Sequence, residues 1–205
     1  MKRVLAIAAA LLLLACTSSG PQKALNDLAQ AMEKNNSQAF LAGIDMNDYA
    51  ANYIRSMTDG SEAVNTLNTL GKMFGLGNLN ELIGNFDELF GNIVDMRKRI
   101  SDQFNRGVAS GELMAQCRQA DTPDCPWVPQ SLRNARIIEI GQNAAIAQVT
   151  TPARLTSWLA LRNIDGKWLV VGQAVLEATA REFATGADKT RQGGQTSAPA
   201  TGKAL

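Results

Sequence analysis

The spacing of apolar residues changes near the middle of the chain, from a helical period to an alternation typical of β-strands. Residues 24–34 carry apolar side chains three and four positions apart, which predicts an amphipathic helix with one buried stripe: Leu25, Leu28, Ala29 and Met32. Ser37 is expected to cap a short helical turn that carries Phe40 and Leu41. Residues 47–57 and 61–74 repeat the helical spacing, so the first half of the chain is predicted to be helical.

A Gly-Asn pair recurs every seven residues in the stretch GNLNELIGNFDELFGNIVD, which begins at Gly77. Seven residues are close to two helical turns, and the apolar residues between the pairs fall on one broad stripe of a helix. Acidic residues come early, whereas Arg97, Lys98 and Arg106 come late, as the helix dipole favours. We therefore predict one long helix over residues 79–106 that faces the core.

The glycines of this repeat lie opposite the apolar stripe. Gly84 and Gly91 inside a helix should each cost about 1 kcal/mol relative to alanine. They are either tolerated on a solvated face or allow another backbone to approach closely. The second interpretation makes Gly84, Asn85, Gly91 and Asn92 a candidate contact ridge.

The second half of the chain is rich in β-branched and alternating apolar residues. The predicted strands cover residues 135–140, 144–150, 157–164 and 167–172. Asp165 and Gly166 separate the last two strands, and an Asp-Gly pair at this position is a strong two-residue hairpin signal. A final helix over about residues 175–183 would close the fold.

If Ile164 pairs with Lys167 across this turn, both faces of the hairpin are apolar. One face carries Leu159, Leu161, Trp168 and Val170, and the other carries Trp158, Ala160, Leu169 and Val171. A sheet that is apolar on both sides must be covered twice. We expect helices on one side, and further helix, a second subunit or a ligand on the other.

These elements predict an α+β fold, with N-terminal helices and a long central helix packed on a C-terminal antiparallel sheet of about four strands. Residues 23–185 are long enough to form one domain with a proper core. Residues 186–205 are small and polar with no apolar period, so we expect a disordered tail.

The first residues have the organisation of a secretory signal. Lys2 and Arg3 precede an apolar run over residues 4–15, which is too short to remain as a membrane-spanning helix. We therefore expect residues 1–15 to be removed as a signal peptide. Residues 16–22 are expected to form a lipidated tether to the domain.

The sequence Leu13-Leu14-Ala15-Cys16 resembles the lipobox of bacterial lipoproteins. The resemblance implies cleavage before Cys16, a diacylglycerol thioether on its thiol, and a fatty acid such as palmitate on its new amine. Two or three such chains would anchor the protein stably in a membrane. Thr17 stands where inner-membrane retention usually has aspartate, which implies the periplasmic side of the outer membrane. The alternative is an ordinary secretory peptide with a chance cysteine.

Cleavage would remove Lys2 and Arg3 and so change the formal net charge from +1 to −1. A nearly neutral domain offers no electrostatic attraction for nucleic acid or for an anionic bilayer surface. The expected partners are therefore the membrane through the lipid on Cys16, a second copy of the chain, another envelope protein or a lipid ligand, and not nucleic acid.

Two cysteines remain after lipidation of Cys16, namely Cys117 and Cys125 in the stretch CRQADTPDC. Beyond the inner membrane such a pair is typical of a disulfide. Closing so short a loop would stabilise the fold by about 2 to 3 kcal/mol in the chain-entropy model. A redox-active pair would more typically be Cys-x-x-Cys, and a zinc site would need further ligands in a chain that has no histidine. No metal or cofactor is expected.

The order of elements resembles that of small bacterial lipoproteins in the cystatin-like and nuclear-transport-factor-two-like superfamily. The resemblance rests on the strand pair ARIIEIGQNAAIAQVTT and the hairpin WLALRNIDGKWLVVG, with Asp165-Gly166-Lys167-Trp168 at its turn. It implies a bent antiparallel sheet that wraps a long helix, although the helical stretch over residues 61–111 is absent from the simplest members. The superfamily includes isomerases, dehydratases, phospholipid shuttles and modules without known activity, so the fold does not assign a function.

Candidate catalytic groups are few. The chain lacks histidine, the commonest general base, and has no Gly-x-Ser-x-Gly motif. A carboxylate, Asp45 or Asp48, lies close in sequence to Tyr49 and Tyr53, and isomerases of the superfamily use such a pairing for proton transfer and oxyanion stabilisation. The alternative roles are helix caps and tyrosines at the edge of the core.

Three functions follow from these observations. The first is a non-catalytic, outer-membrane-anchored periplasmic domain, not an enzyme, that binds a partner or ligand through its sheet and helical cover. The second is a carrier of lipid or another hydrophobic ligand, with a candidate pocket formed by Tyr49, Tyr53, Trp158 and Trp168. The third, an isomerase-like enzyme, requires a buried Asp45 or Asp48 beside a cavity.

Overall fold

The computed structural model describes residues 20–58 and 93–186. The helices that precede the sheet are α1 (Pro21–Glu33), α2 (Ser37–Leu41), α3 (Met46–Thr58), α4 (Ile93–Ala109), α5 (Glu112–Gln119) and α6 (Pro129–Arg133). The sheet consists of β1 (Arg136–Glu139), β2 (Ala144–Thr150), β3 (Thr156–Ile164) and β4 (Lys167–Ala174), and helix α7 (Glu177–Thr185) follows it. Helices packed on an antiparallel sheet confirm the predicted α+β class.

Helix α1 begins earlier than predicted. Pro21 occupies its first turn, where the missing N–H of proline is not needed and its fixed φ suits the helix. Pro21 is buried, and the amide of Gln22 donates to the backbone oxygen of Leu132 at 3.3 Å. The predicted tether, which ended at Gln22, is therefore two residues too long.

The cap of helix α2 is one residue away from the predicted one. The side-chain oxygen of Asn36, not of Ser37, accepts a hydrogen bond from the backbone N–H of Ala39 at 3.0 Å. Asparagine and serine are about equally good in this role. The predicted cap at Ser37 is therefore wrong by one residue.

Part of the predicted central helix lies outside the described residues. Helix α4 accounts for its second part and continues to Ala109. The helix predicted over residues 61–74 and the candidate contact ridge also lie outside them, and the ridge residues are Gly84, Asn85, Gly91 and Asn92.

The sheet has the strand order β1-β2-β3-β4, and every neighbouring pair is antiparallel. Ile164 pairs with Lys167, as predicted. Asp165 and Gly166 in the turn have φ values of 51° and 81°. A turn with two positive φ values matches the twist of the flanking strands, which is why an Asp-Gly pair is favoured there.

The two faces of the sheet belong to two separate apolar clusters. One side of the sheet, the first face, packs into a large apolar cluster that we call the first cluster. The sheet contributes to it Ala145, Ala147, Val149, Leu159, Leu161, Trp168 and Val170. The other side, the second face, packs into a smaller second cluster, to which the sheet contributes Ala144, Ile146, Trp158, Ala160, Val171 and Ala174. The predicted assignment of the hairpin residues to two apolar faces is thus confirmed, except that half-buried Leu169 belongs to neither buried set.

Helices of this chain cover both faces. The first face lies under helices α1 to α6, which contribute Leu25, Phe40, Tyr49, Ile100, Phe104, Leu113 and Leu132. The second face lies under α7, which contributes Ala180, Phe183 and Ala184. Of the covers expected for the second face, the structure shows further helix, and the apolar side chains of the sheet are buried under helices on both sides.

Candidate functional site

A groove lies between the start of α1, the end of α2 and the turn of the β3-β4 hairpin. Its volume is about 400 Å³. The residues that line it are Gly20, Lys23, Ala24, Asp27, Ala39, Ala42, Gly43, Gly166, Lys167 and Trp168. Small-molecule sites usually measure about 300 to 1,000 Å³, so the groove is large enough for a small ligand.

Small side chains explain why this space stays open. Ala24 on α1 and Ala39 on α2 project too little to fill the gap between the helices, and Trp168 closes it from the β4 side with only 9% of its surface exposed. Gly43 allows the end of α2 to approach α1, because a Cβ there would lie 2.7 Å from a methyl carbon of Leu28. The base of the groove is therefore apolar and continuous with the first cluster.

Backbone hydrogen bonds fix the end of α2 against the sheet. The backbone N–H of Val170 donates to the oxygen of Gly43 at 3.0 Å, and the N–H of Asp45 donates to the oxygen of Val170 at 2.9 Å. These two bonds extend the edge of β4 by a short parallel bridge at Ile44. Main-chain contacts thus fix the end of α2, which forms one wall of the groove, against the sheet.

Charged groups stand at the rim of the groove. Lys23 and Asp27 form an ion pair at 2.6 Å, and their side chains are 48% and 61% exposed. The ammonium of Lys167 donates to the backbone oxygen of Ala42 at 2.6 Å, which uses one of its three N–H groups. Since exposed ion pairs contribute only about 0 to 1 kcal/mol, a competing anion can displace Asp27 from Lys23 at small cost.

The four residues of the predicted pocket do not lie together. Trp168 lines the groove, whereas Tyr49 is buried in the first cluster and Tyr53 packs against that cluster. Trp158 belongs to the cluster on the second face. The predicted common pocket is therefore wrong, because alternation along β3 and β4 separates the two tryptophans across the sheet.

The charge of Asp124, a carboxylate that the sequence did not single out, acts on Tyr49 and Tyr53. The Tyr49 hydroxyl donates to the side-chain oxygen of Gln173 at 3.2 Å, and the Gln173 amide donates to the backbone oxygen of Asp124 at 2.6 Å. Burial raises the pKa of Tyr49 far above its ordinary 10.0, and the charge of Asp124 raises it further. Burial also raises the pKa of Tyr53, and electrostatic interactions with Tyr49 and then Asp124 raise it further. Both phenols therefore stay protonated at neutral pH.

The carboxylates proposed for proton transfer have structural partners. Asp45 accepts hydrogen bonds from the backbone N–H groups of Asn47 and Asp48 at 3.0 and 3.2 Å, which caps the start of α3. Asp48 forms an ion pair with Arg162, whose guanidinium also donates to the backbone oxygens of Phe183 and Ala184. Neither Asp45 nor Asp48 lines the groove.

The predicted cysteine pair is present as a disulfide. Cys117 at the end of α5 is bonded to Cys125, and both are buried in the first cluster. Trp127 follows two residues later and makes edge-to-face contacts with Phe40 and Phe104 at ring-centroid distances of 5.4 Å. The disulfide thus holds the loop that carries Asp124 and Trp127 against the core.

Few large apolar side chains are exposed in the part of the chain that the structure describes. They are Leu155 and Leu176, which are 36% and 45% exposed. Isolated exposed leucines are normal on soluble surfaces. The groove, rather than an apolar surface patch, is therefore the candidate binding site.

Comparisons with known proteins do not assign this chain to a family. No protein-family model matches it, no curated protein matches it significantly, and no solved structure does so either. No helix within residues 20–58 and 93–186 combines the length and the apolar character that crossing a bilayer requires. The same residues contain no group of three or more histidine, cysteine or acidic side chains placed to hold a metal ion.

Proposed function

We propose that this protein is a bacterial lipoprotein, anchored through Cys16 on the periplasmic side of the outer membrane, whose domain is a non-catalytic binding module. Its ligand occupies the groove between α1, α2 and the β3-β4 turn. The resemblance to cystatin-like and nuclear-transport-factor-two-like lipoproteins is part of the same proposal. The observation that carries it is an apolar groove of about 400 Å³ beside the N-terminal end of the domain.

The position of the groove supports a function at a membrane. Gly20 lines the groove and follows Cys16 by four residues. Four residues of extended chain span at most about 14 Å. A lipid on Cys16 would therefore hold the groove close to the bilayer surface, within reach of molecules that leave it.

The positions of the acidic side chains favour binding over catalysis. The groove contains one carboxylate, Asp27, which is exposed and paired with Lys23. The buried Asp124 acts on tyrosines whose raised pKa values make them poor proton donors at neutral pH. An efficient general acid has a pKa near the working pH, and the raised pKa values of Tyr49 and Tyr53 do not meet that condition.

A carrier of hydrophobic ligands is the second candidate function, and the same groove favours it. A binding module retains its ligand or partner, whereas a carrier exchanges its ligand between membranes. Transfer of a labelled amphiphile between two vesicle populations would distinguish them. Acceleration of the transfer by the protein would favour the carrier.

Anchoring can be tested by metabolic labelling with a palmitate analogue. We expect label in the wild-type protein, recovery of that protein in the outer-membrane fraction, and loss of both in the Cys16→Ser variant. An unlabelled wild-type protein in the soluble periplasmic fraction would contradict the lipoprotein assignment without affecting the groove.

Ligand binding can be tested by native mass spectrometry of the exported chain from Thr17 to Leu205, which retains every described residue. We expect a co-purified ligand that is reduced in the Ala39→Leu variant, because leucine would fill the space between α1 and α2. The matched control is Ala178→Leu, an exposed helical alanine on α7. An empty wild-type protein, or equal ligand in all three, would contradict the assignment of the groove.

A further inference from the structure

We propose that the groove binds a long-chain carboxylate, with its single hydrocarbon chain along Trp168 and its carboxylate beside the ammonium groups of Lys23 and Lys167. This inference rests on the proposed function and adds the chemical class of the ligand. It uses three properties of the groove, namely its volume, its apolar base and the charges at its rim.

The volume of the groove favours one hydrocarbon chain. About 400 Å³ lies near the lower end of the range for small-molecule sites. The lining offers alanine and glycine surface and the side chain of Trp168. An apolar site of this volume suits a single hydrocarbon chain better than the two chains of a phospholipid.

The rim favours a negative head group. Lys23 and Lys167 bring two ammonium groups to the groove, and Asp27 brings one carboxylate. The ammonium of Lys23 already binds a carboxylate, that of Asp27, at 2.6 Å. A ligand carboxylate would take the place of the Asp27 carboxylate beside Lys23. The ammonium of Lys167 has two further N–H groups besides the one that donates to the backbone oxygen of Ala42.

Asp27 therefore acts as an internal competitor for the ligand. Removing its charge frees Lys23 and removes repulsion of the incoming carboxylate. Replacing Lys167 by glutamine removes attraction instead. The two substitutions should change the affinity for a carboxylate in opposite directions, which a purely apolar groove would not show.

The experiment measures binding of palmitate, uncharged hexadecanol and cationic hexadecyltrimethylammonium to the exported chain from Thr17 to Leu205. We expect palmitate to bind most tightly. Asp27→Asn should raise palmitate affinity by about two- to fivefold, and Lys167→Gln should lower it by a similar factor, as expected for exposed charges. Neither should change hexadecanol binding, and Ala39→Leu should weaken both.

The matched control is Asp102→Asn. Asp102 forms the same type of exposed ion pair with Lys98, four residues earlier on α4, at 2.8 Å. Its loss should leave palmitate binding unchanged. An equal gain in the two asparagine variants would contradict a local effect at the groove.

The outcomes separate this inference from the proposed function. Equal binding of palmitate and hexadecanol, with no effect of Asp27→Asn, would contradict recognition of the ligand's carboxylate but leave the groove as a binding site. Palmitate binding that survives Ala39→Leu would contradict the assignment of the ligand to the groove. If no amphiphile binds and native mass spectra show no ligand, both proposals are wrong.

Discussion

The two faces of the sheet are both apolar, but the chain covers them in different ways. The first face lies under helices drawn from residues 21–133, with a cluster of large rings formed by Phe40, Tyr49, Phe104 and Trp127. Within the described residues the second face lies under α7, and alanine is the commonest buried residue around Phe183. The first face thus packs against the main core of the domain, whereas the second face packs against a smaller cluster.

The apolar face of a sheet can therefore be covered by segments far away in sequence or by the helix that directly follows the last strand. Helix α7 starts three residues after β4 ends. Its contacts with the sheet span moderate distances in sequence, such as the 22 positions between Arg162 and Ala184, whereas Lys167 of β4 contacts Ala42 after α2 over 125 positions. Elements with few buried contacts open at lower free energy than the core does.

Helix α3 contacts both the first cluster and α7 at the edge of β4. Tyr49 points into the first cluster, and Asn52 donates to the backbone oxygen of Val171 at 2.8 Å. Arg55, near the end of the helix, pairs with Glu182 of α7 at 2.6 Å and lies over the ring of Phe183 at 5.1 Å. These contacts attach α7 to the rest of the molecule in addition to its own apolar face.

The largest expected effect comes from truncating one phenylalanine on each face. Phe40→Ala should lower the free energy of unfolding by about 3 to 5 kcal/mol, because its buried ring contacts both Phe104 and Trp127. Phe183→Ala should lower it less and should increase hydrogen exchange in α7 before the strands. Urea unfolding and amide exchange measure the two effects. Equal losses, with α7 and β3 exchanging together, would contradict the difference between the faces.

A smaller effect is expected from the disulfide, which strengthens the first face only. Replacing both Cys117 and Cys125 by alanine should lower the free energy of unfolding by about 2 to 3 kcal/mol. Hydrogen exchange in α7 should stay the same, because the loop does not contribute to the second cluster. The control is the wild-type protein with reductant, which should match the variant. Full stability after reduction would show that the disulfide does not support the core.

The smallest effect is absent at neutral pH and comes from buried Tyr49 and half-buried Tyr53 at the first face. Their pKa values are raised above 10.0 in the folded protein, mainly by burial. The unfolded chain therefore loses these two protons first, and stability that is complete below about pH 10 falls as the pH rises further. The chain contains two tyrosines, so tyrosinate absorbance reports on Tyr49 and Tyr53 alone. Ionisation near pH 10 in the folded protein would contradict their burial, and Tyr49→Phe should reduce the loss of stability.

Local signals in the sequence predicted local structure well. The Asp-Gly pair specified the hairpin and its register, and the alternation along β3 and β4 assigned residues to two faces. Helices α5 and α6 were not predicted. Helix α5 is eight residues long and α6 is five, so neither offers a full amphipathic repeat.

The candidate site was not predictable from the sequence, because it combines segments that lie far apart along the chain. Residues 20–27, 39–43 and 166–168 form the groove, and their small side chains carry no signal by themselves. The predicted pocket grouped aromatic residues by type and missed that Trp158 and Trp168 lie on opposite faces. The effect of Asp124 on the tyrosines was not predicted either, because Asp124 lies more than 70 positions from them along the chain.

We could infer from the amino-acid pattern the α+β class, the hairpin register, the two apolar faces and the cysteine pair, because each depends on residues that are close together along the chain. The first 16 residues also carry the signals behind the lipoprotein proposal. The folded arrangement was needed to show that α7 covers the second face, that the charge of Asp124 acts on Tyr49 and Tyr53, and that a groove remains beside α1. These features depend on how helices pack over long sequence separations, and packing is set by the shapes of all the contacting side chains together.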